Sequence, residues 1–416
     1  FYNIDEKLKE LEEKLKINYN ETQEKAIKSA LNNNITIISG GPGTGKTTII
    51  NAIVKLYIEK EKLGSADIME TIALLAPTGR AAKKMNSSTG IPAYTIHRYL
   101  KWYKDSNEFV YNEFNKTHHK LIIVDEVSMI DVDLFNALLN GINSNIKLIL
   151  VGDTFQLPSV GPGLVLNELI ESDYFNYIPL NQIYRQSDNS YIPFLAKEIK
   201  NNDLSEEFLT KKDDYNFVNV DSSNIKKAIM QITNYSLSKG LDERNVQVLA
   251  PMYKGDAGID ALNVILQNIY NPSKRNKEEV IYGDFIYRED DKVLQLVNDL
   301  DNNVFNGDIG FIERITGNKI IIDFDGNKVE YEKKDLKNIK HAYAISIHKS
   351  QGSEFMHVIM PISTSYYKML YNKLIYTGVS RAKKSLTLVG DPTAFQRAVN
   401  NNYSSSRKTS LKEQIS

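Results

Sequence analysis

A glycine-rich segment, GGPGTGKT at residues 40–47, stands between two apolar runs. Its spacing matches the phosphate-binding pattern G-x-x-x-x-G-K-[ST], in which glycines let backbone N–H groups turn inward around phosphate oxygens. Lys46 is predicted to reach the β- and γ-phosphates of a nucleoside triphosphate, and the Thr47 hydroxyl to be a ligand of Mg²⁺. We therefore expect a nucleoside triphosphate to bind here, in contact with Gly40, Gly41, Gly43, Thr44, Gly45, Lys46, Thr47 and Thr48.

Two adjacent carboxylates supply the second part of such a site. In LIIVDEVSMID at residues 121–131, four apolar residues lead directly into Asp125 and Glu126. A buried strand that ends in this way places Asp125 toward a metal ion and Glu126 toward an attacking water. The four apolar residues argue against the alternative, a solvated acidic turn. Together the two segments predict hydrolysis of the bound triphosphate.

Three other side chains are candidates for contacts with the reacting phosphate. Gln156, in LVGDTFQLPSVGPG, has the reach to sense a γ-phosphate or to position water, with a polar loop cap as the alternative. Arg185, in QIYRQ, and Arg381, in YTGVSRAKK, could each be an ordinary surface charge. If two α/β domains face each other across the nucleotide, both become candidate arginine fingers.

Two segments are candidates for nucleic-acid binding. LAPTGRAAKKM at residues 75–85 joins a basic side chain to a helix start, which suits a backbone phosphate as well as it suits an ordinary helix cap. TIHRYLKWY at residues 95–103 interleaves basic and aromatic side chains, a pattern that favours stacked single-stranded bases but is as often part of a core. The candidate residues are Thr78, Arg80, Thr95, His97 and Arg98.

Composition limits the class of protein. A length of 416 residues is sufficient for two or three domains. The formal net charge of −1 lacks the basic excess of many nucleic-acid binders, so any such groove must be local. The absence of cysteine excludes disulfides and is compatible with the cytoplasmic location that we expect. No apolar run approaches the ~20 residues of a membrane span. Because the chain begins with Phe1, we expect a fragment or a processed product.

The pattern along the chain predicts two α/β domains. Apolar strand runs alternate with helical segments from residue 35 to about 180, and again from about 215 to 391. Such alternation is typical of parallel sheets covered by helices on both faces. The predicted parts are a leading helix (1–17), a first domain (18–187) with a β-hairpin insertion (about 101–117), a second domain (188–398) with a β-barrel insertion (about 282–340), and a disordered tail (399–416).

The ordered set of segments resembles the superfamily 1 DNA helicases and, within them, the RecD-like branch. The resemblance extends from about residue 18 to 398 and rests on QEKAI, GGPGTGKTT, APTGRAAKKM, TIHRYL, VDEVSMID, VGDTFQLPSVGPG, YRQ, AISIHKSQGSE and YTGVSRAKK. It implies an α/β fold with two tandem RecA-like P-loop NTPase domains built on parallel sheets. It also implies that the first insertion is a strand-separating hairpin and the second a small SH3-like β-barrel.

The resemblance also implies roles for individual residues. Gln23 would hydrogen-bond the adenine, and Glu354 would lie near the ribose. Gln156, Arg185 and Arg381 would contact the γ-phosphate. The residues implied along a groove for single-stranded nucleic acid are Thr78, Arg80, His97, His348 and Lys349.

The resemblance implies an ATP- and Mg²⁺-dependent helicase that moves 5′→3′ on single-stranded DNA and opens duplexes at junctions. We expect a monomer with no membrane partner. Three alternatives remain: a DNA-stimulated ATPase subunit that needs a partner to unwind, an RNA helicase of the same superfamily, and a nucleotide-gated binding module. The segments GVSRA and HKSQG argue against the last, since a simple switch has no need for them.

Overall fold

The computed structural model describes residues 2–103, 105–183, 190–366, 368–403 and 407–415. The chain divides into two compact units, the first comprising Phe1–Asp188 with Ser405–Ser416 and the second comprising Asn189–Ser404. None of the described helices is long and apolar enough to cross a membrane.

The first unit is built on a six-stranded parallel sheet. Its elements before residue 188 are α1 (Ile4–Leu15), α2 (Glu21–Asn32), β1 (Ile35–Gly40), α3 (Lys46–Glu61), α4 (Ser65–Thr71), β2 (Ile72–Ala76), α5 (Gly79–Thr89), β3 (Ala93–Thr95), α6 (Ile96–Tyr99), β4 (Trp102–Tyr103), β5 (Glu108–Phe109), β6 (Leu121–Val124), α7 (Val132–Gly141), β7 (Lys147–Gly152), α8 (Val165–Glu171) and β8 (Asn176–Leu180). The strand order is β3-β2-β6-β7-β1-β8, with every pairing parallel. The carboxyl ends of all six strands therefore lie along one edge.

Both faces of this sheet are covered by helices. Successive side chains of a strand point to opposite faces, and the neighbours Ile37 and Ile38 of β1 accordingly belong to two different core clusters. Ile38 packs with apolar residues of α1, α2, α3 and α5, whereas Ile37 packs with those of α6, α7 and α8. Continuous apolar strands are required where both faces are buried. The predicted parallel α/β fold is confirmed.

The leading helix is a packing helix of the first unit. Asn3 caps its start by accepting a hydrogen bond from the Glu6 amide, and Lys16, in the left-handed conformation, follows its last turn. Leu8 and Leu11 are buried in the core, and Ile4 and Leu15, on the same face of the helix, pack against the same cluster.

The hairpin in the first unit is short. Strands β4 and β5 pair antiparallel, with Trp102 opposite Phe109 and Tyr103 opposite Glu108. Beyond them, residues 110–117 are irregular apart from a bridge between Asn112 and Asn115. The predicted insertion is thus present, but its paired strands have only two residues each.

The second unit contains α9 (Ile192–Lys200), β9 (Tyr215–Asn219), α10 (Ile225–Ser238), β10 (Val246–Ala250), α11 (Ile259–Tyr270), β11 (Glu279–Tyr282), β12 (Phe285–Arg288), β13 (Lys292–Gln295), β14 (Ile309–Thr316), β15 (Lys319–Phe324), β16 (Asn327–Glu332), β17 (Ile339–His341), β18 (Ala344–Ser346), β19 (Phe355–Ile362), α12 (Asn372–Val379), β20 (Ala382–Gly390) and α13 (Pro392–Asn400). Its main sheet has the order β18-β10-β19-β20-β9, again with every pairing parallel. The repetition of the first pattern along the sequence is therefore also a repetition of architecture.

A small antiparallel β subdomain is inserted between α11 and β18. It consists of the pair β11–β12 and of a five-stranded sheet in the order β16-β15-β14-β13-β17. Its core is separate and includes Val293, Ile312 and Ile322. A turn in the segment FDGNKV joins β15 to β16 through Asp325 and Gly326, both at positive φ, as a two-residue hairpin turn requires.

The structure differs from the prediction at the C-terminal tail. α13 continues to Asn400, and a further helix, α14 (Leu411–Ile415), belongs to the first unit. The prediction of a disordered tail did not include this helix. The polar composition concealed two apolar residues one helical turn apart, Leu411 and Ile415, which pack against the core of the first unit.

Candidate functional site

The carboxyl edge of the first sheet brings the predicted triphosphate residues together. The phosphate loop follows β1, the Asp125–Glu126 pair follows β6, and Gln156 follows β7. These three strands are adjacent, with Ile38 paired to Val151 and Val124 paired to Leu150. The polar residues that follow them therefore share one stretch of this edge.

The phosphate loop has the backbone that its glycines allow. Gly45 has φ +86°, and a Cβ at this position would lie 2.4 Å from Nε2 of Gln23, so only glycine fits. α3 begins immediately afterwards at Lys46. The Lys46 Nζ donates to the carbonyls of Gly40 at 2.7 Å and Gly41 at 3.0 Å. Its ammonium is thus held over the loop itself, where incoming phosphates would replace the carbonyl contacts.

Gln23 connects the loop to the start of α2. Its side chain is only 1% exposed, and its Nε2 donates to the Thr44 carbonyl at 3.0 Å. Its Oε1 accepts from the Asn20 amide at 3.0 Å, which closes a capping box at the helix start. Both ends of the amide therefore support local structure. The contact with adenine that the resemblance implies for Gln23 stays a prediction.

The carboxylate pair lies at the buried tip of β6. Asp125 is buried, and its Oδ1 accepts from the Glu126 amide at 2.8 Å. Burial, followed by the negative charge of Glu126, raises the pKa of Asp125 to about 6, while the charges of Lys84 and Lys46 oppose the rise. Glu126 itself adopts the left-handed conformation, with φ 55° and ψ 40°, uncommon for its residue type. Two carboxylates confined in this way favour a nearby cation.

Gln156 presents a buried acceptor. Its Nε2 donates to Oδ2 of Asp153 at 3.5 Å, and Asp153 is itself buried. Because a carboxylate only accepts hydrogen bonds, this contact fixes which end of the amide faces it. The opposite atom, Oε1, is buried and has no hydrogen-bond partner among the described residues. An acceptor oriented in this way suits a water molecule better than a phosphate oxygen.

The predicted nucleic-acid residues of the first unit lie farther along the same edge, after β2 and β3. Thr78 caps α5 by accepting from the Ala81 amide at 3.3 Å, and Thr95 caps α6 by accepting from the Arg98 amide at 3.2 Å. The helix-cap alternative therefore holds for the Thr78 hydroxyl. Arg80, half-buried, lies in the first turn of α5.

His97 and Arg98 lie among aromatic rings. His97 packs against Trp102 and Phe109, with ring centroids 5.5 and 5.9 Å away, and burial lowers its pKa, so the ring is neutral at pH 7. Arg98 is exposed and lies over the ring of Tyr94 at 5.4 Å. Arg98 also lines a cavity of about 200 Å³, whose other walls are Tyr94, Tyr99, Lys101, Tyr111, Thr117, His118 and His119.

The predicted residues of the second unit lie in two places, some at the amino ends and others at the carboxyl ends of the strands of its main sheet. Arg381 is 4% exposed, and its guanidinium donates to the carbonyls of Thr377 at 3.2 Å and Ser353 at 2.9 Å. It therefore lies beside the exposed Glu354, at the amino ends of β19 and β20.

The remaining candidates of the second unit follow the carboxyl end of β18. His348 and Lys349 lie in a short 3₁₀ helix there. Lys349 donates to Oδ1 of Asn306, in the β subdomain, at 2.7 Å, and burial lowers its pKa. Arg185 lies outside the described residues.

Two residues at this site carry no distinctive sequence signal. Lys84, on α5, opposes the rise in the pKa of Asp125, yet within the segment APTGRAAKKM it is only one of two neighbouring lysines. Arg407 hydrogen-bonds the loop that follows Gln156, from a distant polar segment without a motif. Both interactions join residues that are distant in the sequence, so they become visible only in the folded structure.

Three family models match successive parts of the chain. Residues 23–162 match an AAA domain, residues 262–324 match the SH3 domain of ATP-dependent RecD-like DNA helicases, and residues 341–389 match the UvrD-like helicase C-terminal domain. With two parallel α/β units and a phosphate loop at a strand end, they define a P-loop protein of helicase superfamily 1.

Two curated relatives identify the branch. The chain is 32% identical over 395 residues to the ATP-dependent RecD2 DNA helicase of Deinococcus radiodurans, a match that covers 95% of this chain and 52% of the relative. It is 30% identical over 448 aligned positions to the RecBCD enzyme subunit RecD of Buchnera aphidicola subsp. Acyrthosiphon pisum, with 91% and 73% covered. The chain belongs to the RecD family. It spans about half the length of the Deinococcus relative.

Solved structures share the fold. A Bacteroides Pif1 bound to single-stranded DNA superposes with a TM-score of 0.53 at 18% identity, covering 92% of this chain and 94% of that one. The Pif1 helicase of Candida albicans gives a TM-score of 0.52 at 18% identity, with 93% and 97% covered. The fold therefore extends across nearly the whole chain.

Proposed function

We propose that this chain is an ATP-driven motor that moves along single-stranded DNA and separates duplex strands. The observation that carries the proposal is the carboxyl edge of the first sheet, where the phosphate loop, the Asp125–Glu126 pair and Gln156 meet. The Deinococcus relative is named an ATP-dependent DNA helicase, and one structure of similar fold is a Pif1 bound to single-stranded DNA.

The residues of this edge divide the work of hydrolysis. Lys46 exchanges the carbonyls of Gly40 and Gly41 for the β- and γ-phosphates of ATP. Glu126 orients the attacking water and takes its proton. The unpartnered Oε1 of Gln156 accepts a hydrogen bond from the same water, which fixes its approach. Arg381 retains its proposed role as a contact of the γ-phosphate.

The donor set also fits Mg²⁺. In the described part of the chain, no group of three or more His, Cys, Asp or Glu side chains is placed to hold a metal ion by itself. Mg²⁺ is commonly held by one or two protein oxygens together with substrate phosphates and water, so the Thr47 hydroxyl and the Asp125 carboxylate would suffice. The metal would neutralise phosphate charge in the reaction. The raised pKa of Asp125 supports the presence of a cation, since Lys84 and Lys46 offset its buried charge only in part.

DNA is proposed to lie along the part of this edge that follows β2 and β3. Exposed Arg98, with Tyr94 beneath it, offers a cation and an aromatic ring to a nucleotide. The other proposed contacts are Thr78, Arg80, Thr95, His97, His348 and Lys349. The resemblance to the RecD-like branch supports 5′→3′ movement, with the β4–β5 hairpin dividing the duplex.

ATP hydrolysis with and without single-stranded DNA tests the proposal, together with unwinding of forks that carry opposite tails. DNA should raise the turnover number, RNA should raise it less, and forks with a 5′ tail should be opened. Lys46→Ala should abolish hydrolysis because the phosphates lose their cation. Phosphate release that is unchanged by DNA would contradict the proposal.

A second candidate is a motor subunit that needs a partner to unwind. It is favoured by the name of the Buchnera relative, which is a subunit of the RecBCD enzyme. DNA-stimulated hydrolysis without unwinding of either fork by the isolated chain would support this candidate over the first.

A further inference from the structure

The described C-terminal segment, residues 407–415, docks on the first unit and is here called the C-terminal strap. The chain before it belongs to the second unit up to Ser404, whereas the strap is part of the first. Two anchors hold it: Leu411 and Ile415 pack against the core, and the Lys412 amide donates to Oε2 of the buried Glu168 at 3.0 Å. The strap therefore has a defined place in the first unit.

A third anchor is the guanidinium of Arg407. Its Nη1 donates to the carbonyls of Gly161 at 2.6 Å and Gly163 at 3.1 Å, and to Oγ of Ser159 at 3.4 Å. Its Nη2 donates to the Ser159 carbonyl at 2.6 Å. Three carbonyls of one loop thus converge on one planar cation, an arrangement that suits the several donors of arginine and that lysine cannot reproduce.

The loop in question, residues 157–163, needs such a support. Gly163 has φ +100°, and glycine-rich segments lose more conformational freedom on ordering than others. The loop also contacts the start of α7, where the Val132 amide donates to the Pro162 carbonyl at 3.0 Å. A Cβ at Gly161 would lie 2.2 Å from Oδ2 of Asp131, so the loop fits closely against that helix. Arg407 adds its four hydrogen bonds to these contacts.

This loop begins directly after Gln156, whose buried Oε1 has no partner in the described part of the chain. We propose that Arg407 is a positioning residue for Gln156: by fixing the 157–163 loop, it keeps that oxygen where the attacking water must be received. The inference rests on the proposed ATP hydrolysis and implies that full hydrolytic activity depends on the C-terminal strap.

The test compares Arg407→Ala and Arg407→Lys with Lys408→Ala in the full chain. Lys408 is the exposed neighbour and is the matched control for the loss of one positive charge. With saturating DNA, Arg407→Ala should lower kcat about 10- to 100-fold, because misplacement of a water-positioning group has effects of this size. KM for ATP should change less than about twofold, since the phosphate loop is untouched. Lys408→Ala should behave as wild type, and Arg407→Lys should recover only part of kcat.

Rescue and hydrogen exchange separate positioning from mere folding. Guanidinium at about 20 mM, far below denaturing concentrations, should restore part of kcat in Arg407→Ala but not in Gln156→Leu. Amides of residues 157–165 should exchange faster in Arg407→Ala than in Lys408→Ala. An unchanged kcat would overturn the inference. So would a fall in kcat and Tm together with a rise in KM for ATP, if guanidinium does not restore kcat. If wild type hydrolyses no ATP, the proposed function fails, and the exchange rates alone decide whether Arg407 fixes the loop.

Discussion

Asp125 illustrates how a proposed metal ligand can reduce the stability of the fold that holds it. Its pKa is raised from 3.8 to about 6, chiefly by burial and then by Glu126. Because the folded pKa lies above the unfolded one, the folded chain binds more protons between about pH 4 and pH 6. The contribution of this carboxyl to stability therefore falls as the pH rises through that window. Above it, the charged form carries the full penalty.

Asp125→Asn should consequently stabilise the first unit at pH 7 by about 1–2 kcal/mol while it abolishes Mg²⁺-dependent hydrolysis. The amide still offers an acceptor to the Glu126 amide but has no charge to desolvate. Urea unfolding followed by the fluorescence of Trp102, the single tryptophan of the chain, reports on the first unit. The gain should shrink toward pH 4, and the exposed Asp105→Asn should show none. If the gain in the free energy of unfolding does not change with pH, removal of the buried Asp125 charge is not its cause.

Gln23 offers a second prediction at the scale of one residue. Gln23→Ala leaves the Thr44 carbonyl and the Asn20 amide without their partners, so the free energy of unfolding should fall by about 1–3 kcal/mol. KM for ATP should rise because the phosphate loop loses its support. Gln23→Glu is the matched variant, since it retains an acceptor for Asn20 but no donor for Thr44. If Gln23→Glu has a normal KM, the contact with the loop is irrelevant to nucleotide binding.

Helices and strands were predictable where burial leaves a pattern in the local sequence, as in strands that are buried on both faces and are therefore apolar throughout. The apolar runs that became β1, β6, β7 and β10 predicted parallel strands, and the residues that follow β1 and β6 located the phosphate loop and its carboxylates. The strap left no such pattern, because two apolar residues in a polar tail acquire meaning only from the core on which they dock. The contact of Gln23 with the phosphate loop was equally hidden, since the Thr44 carbonyl is distant in the sequence.

The β4–β5 hairpin carries a prediction at the scale of an element. Its base is fixed by Trp102 and Phe109, which pack around His97, whereas Tyr103 is exposed. Replacing residues 104–107 by Asn-Gly should retain the pairing of Tyr103 with Glu108, because this dipeptide favours a two-residue hairpin turn. DNA-stimulated hydrolysis should stay within about twofold, as the sites along the sheet edge are unchanged, while unwinding of forks should fall.

A control in another turn makes the hairpin comparison specific. Asp325→Asn alters the β15–β16 turn of the β subdomain and should leave both activities unchanged. Unwinding that survives shortening of the β4–β5 turn would assign strand separation to another part of the chain.

At the scale of the whole molecule, the candidate residues are divided between two units of repeated architecture. The first contains the phosphate loop and the carboxylate pair, and the second contains Arg381. The near-neutral net charge of −1 means that attraction to DNA must come from local groups rather than from the overall field. Because the phosphate loop and Arg381 belong to different units, a change in the second unit should alter the rate of ATP hydrolysis more than the affinity for ATP.

Arg381 provides the test at this scale. Arg381→Lys retains the charge but loses the planar donor set, and turnover should fall at least about 100-fold if the guanidinium stabilises the transferring phosphate. The affinity for ATP, measured by equilibrium binding, should change much less because Lys46 and its loop belong to the first unit. Lys383→Ala, an exposed cation on β20, is the control and should preserve both quantities. An equal loss of affinity and turnover would instead point to the buried bonds of Arg381 with Thr377 and Ser353 as its whole contribution.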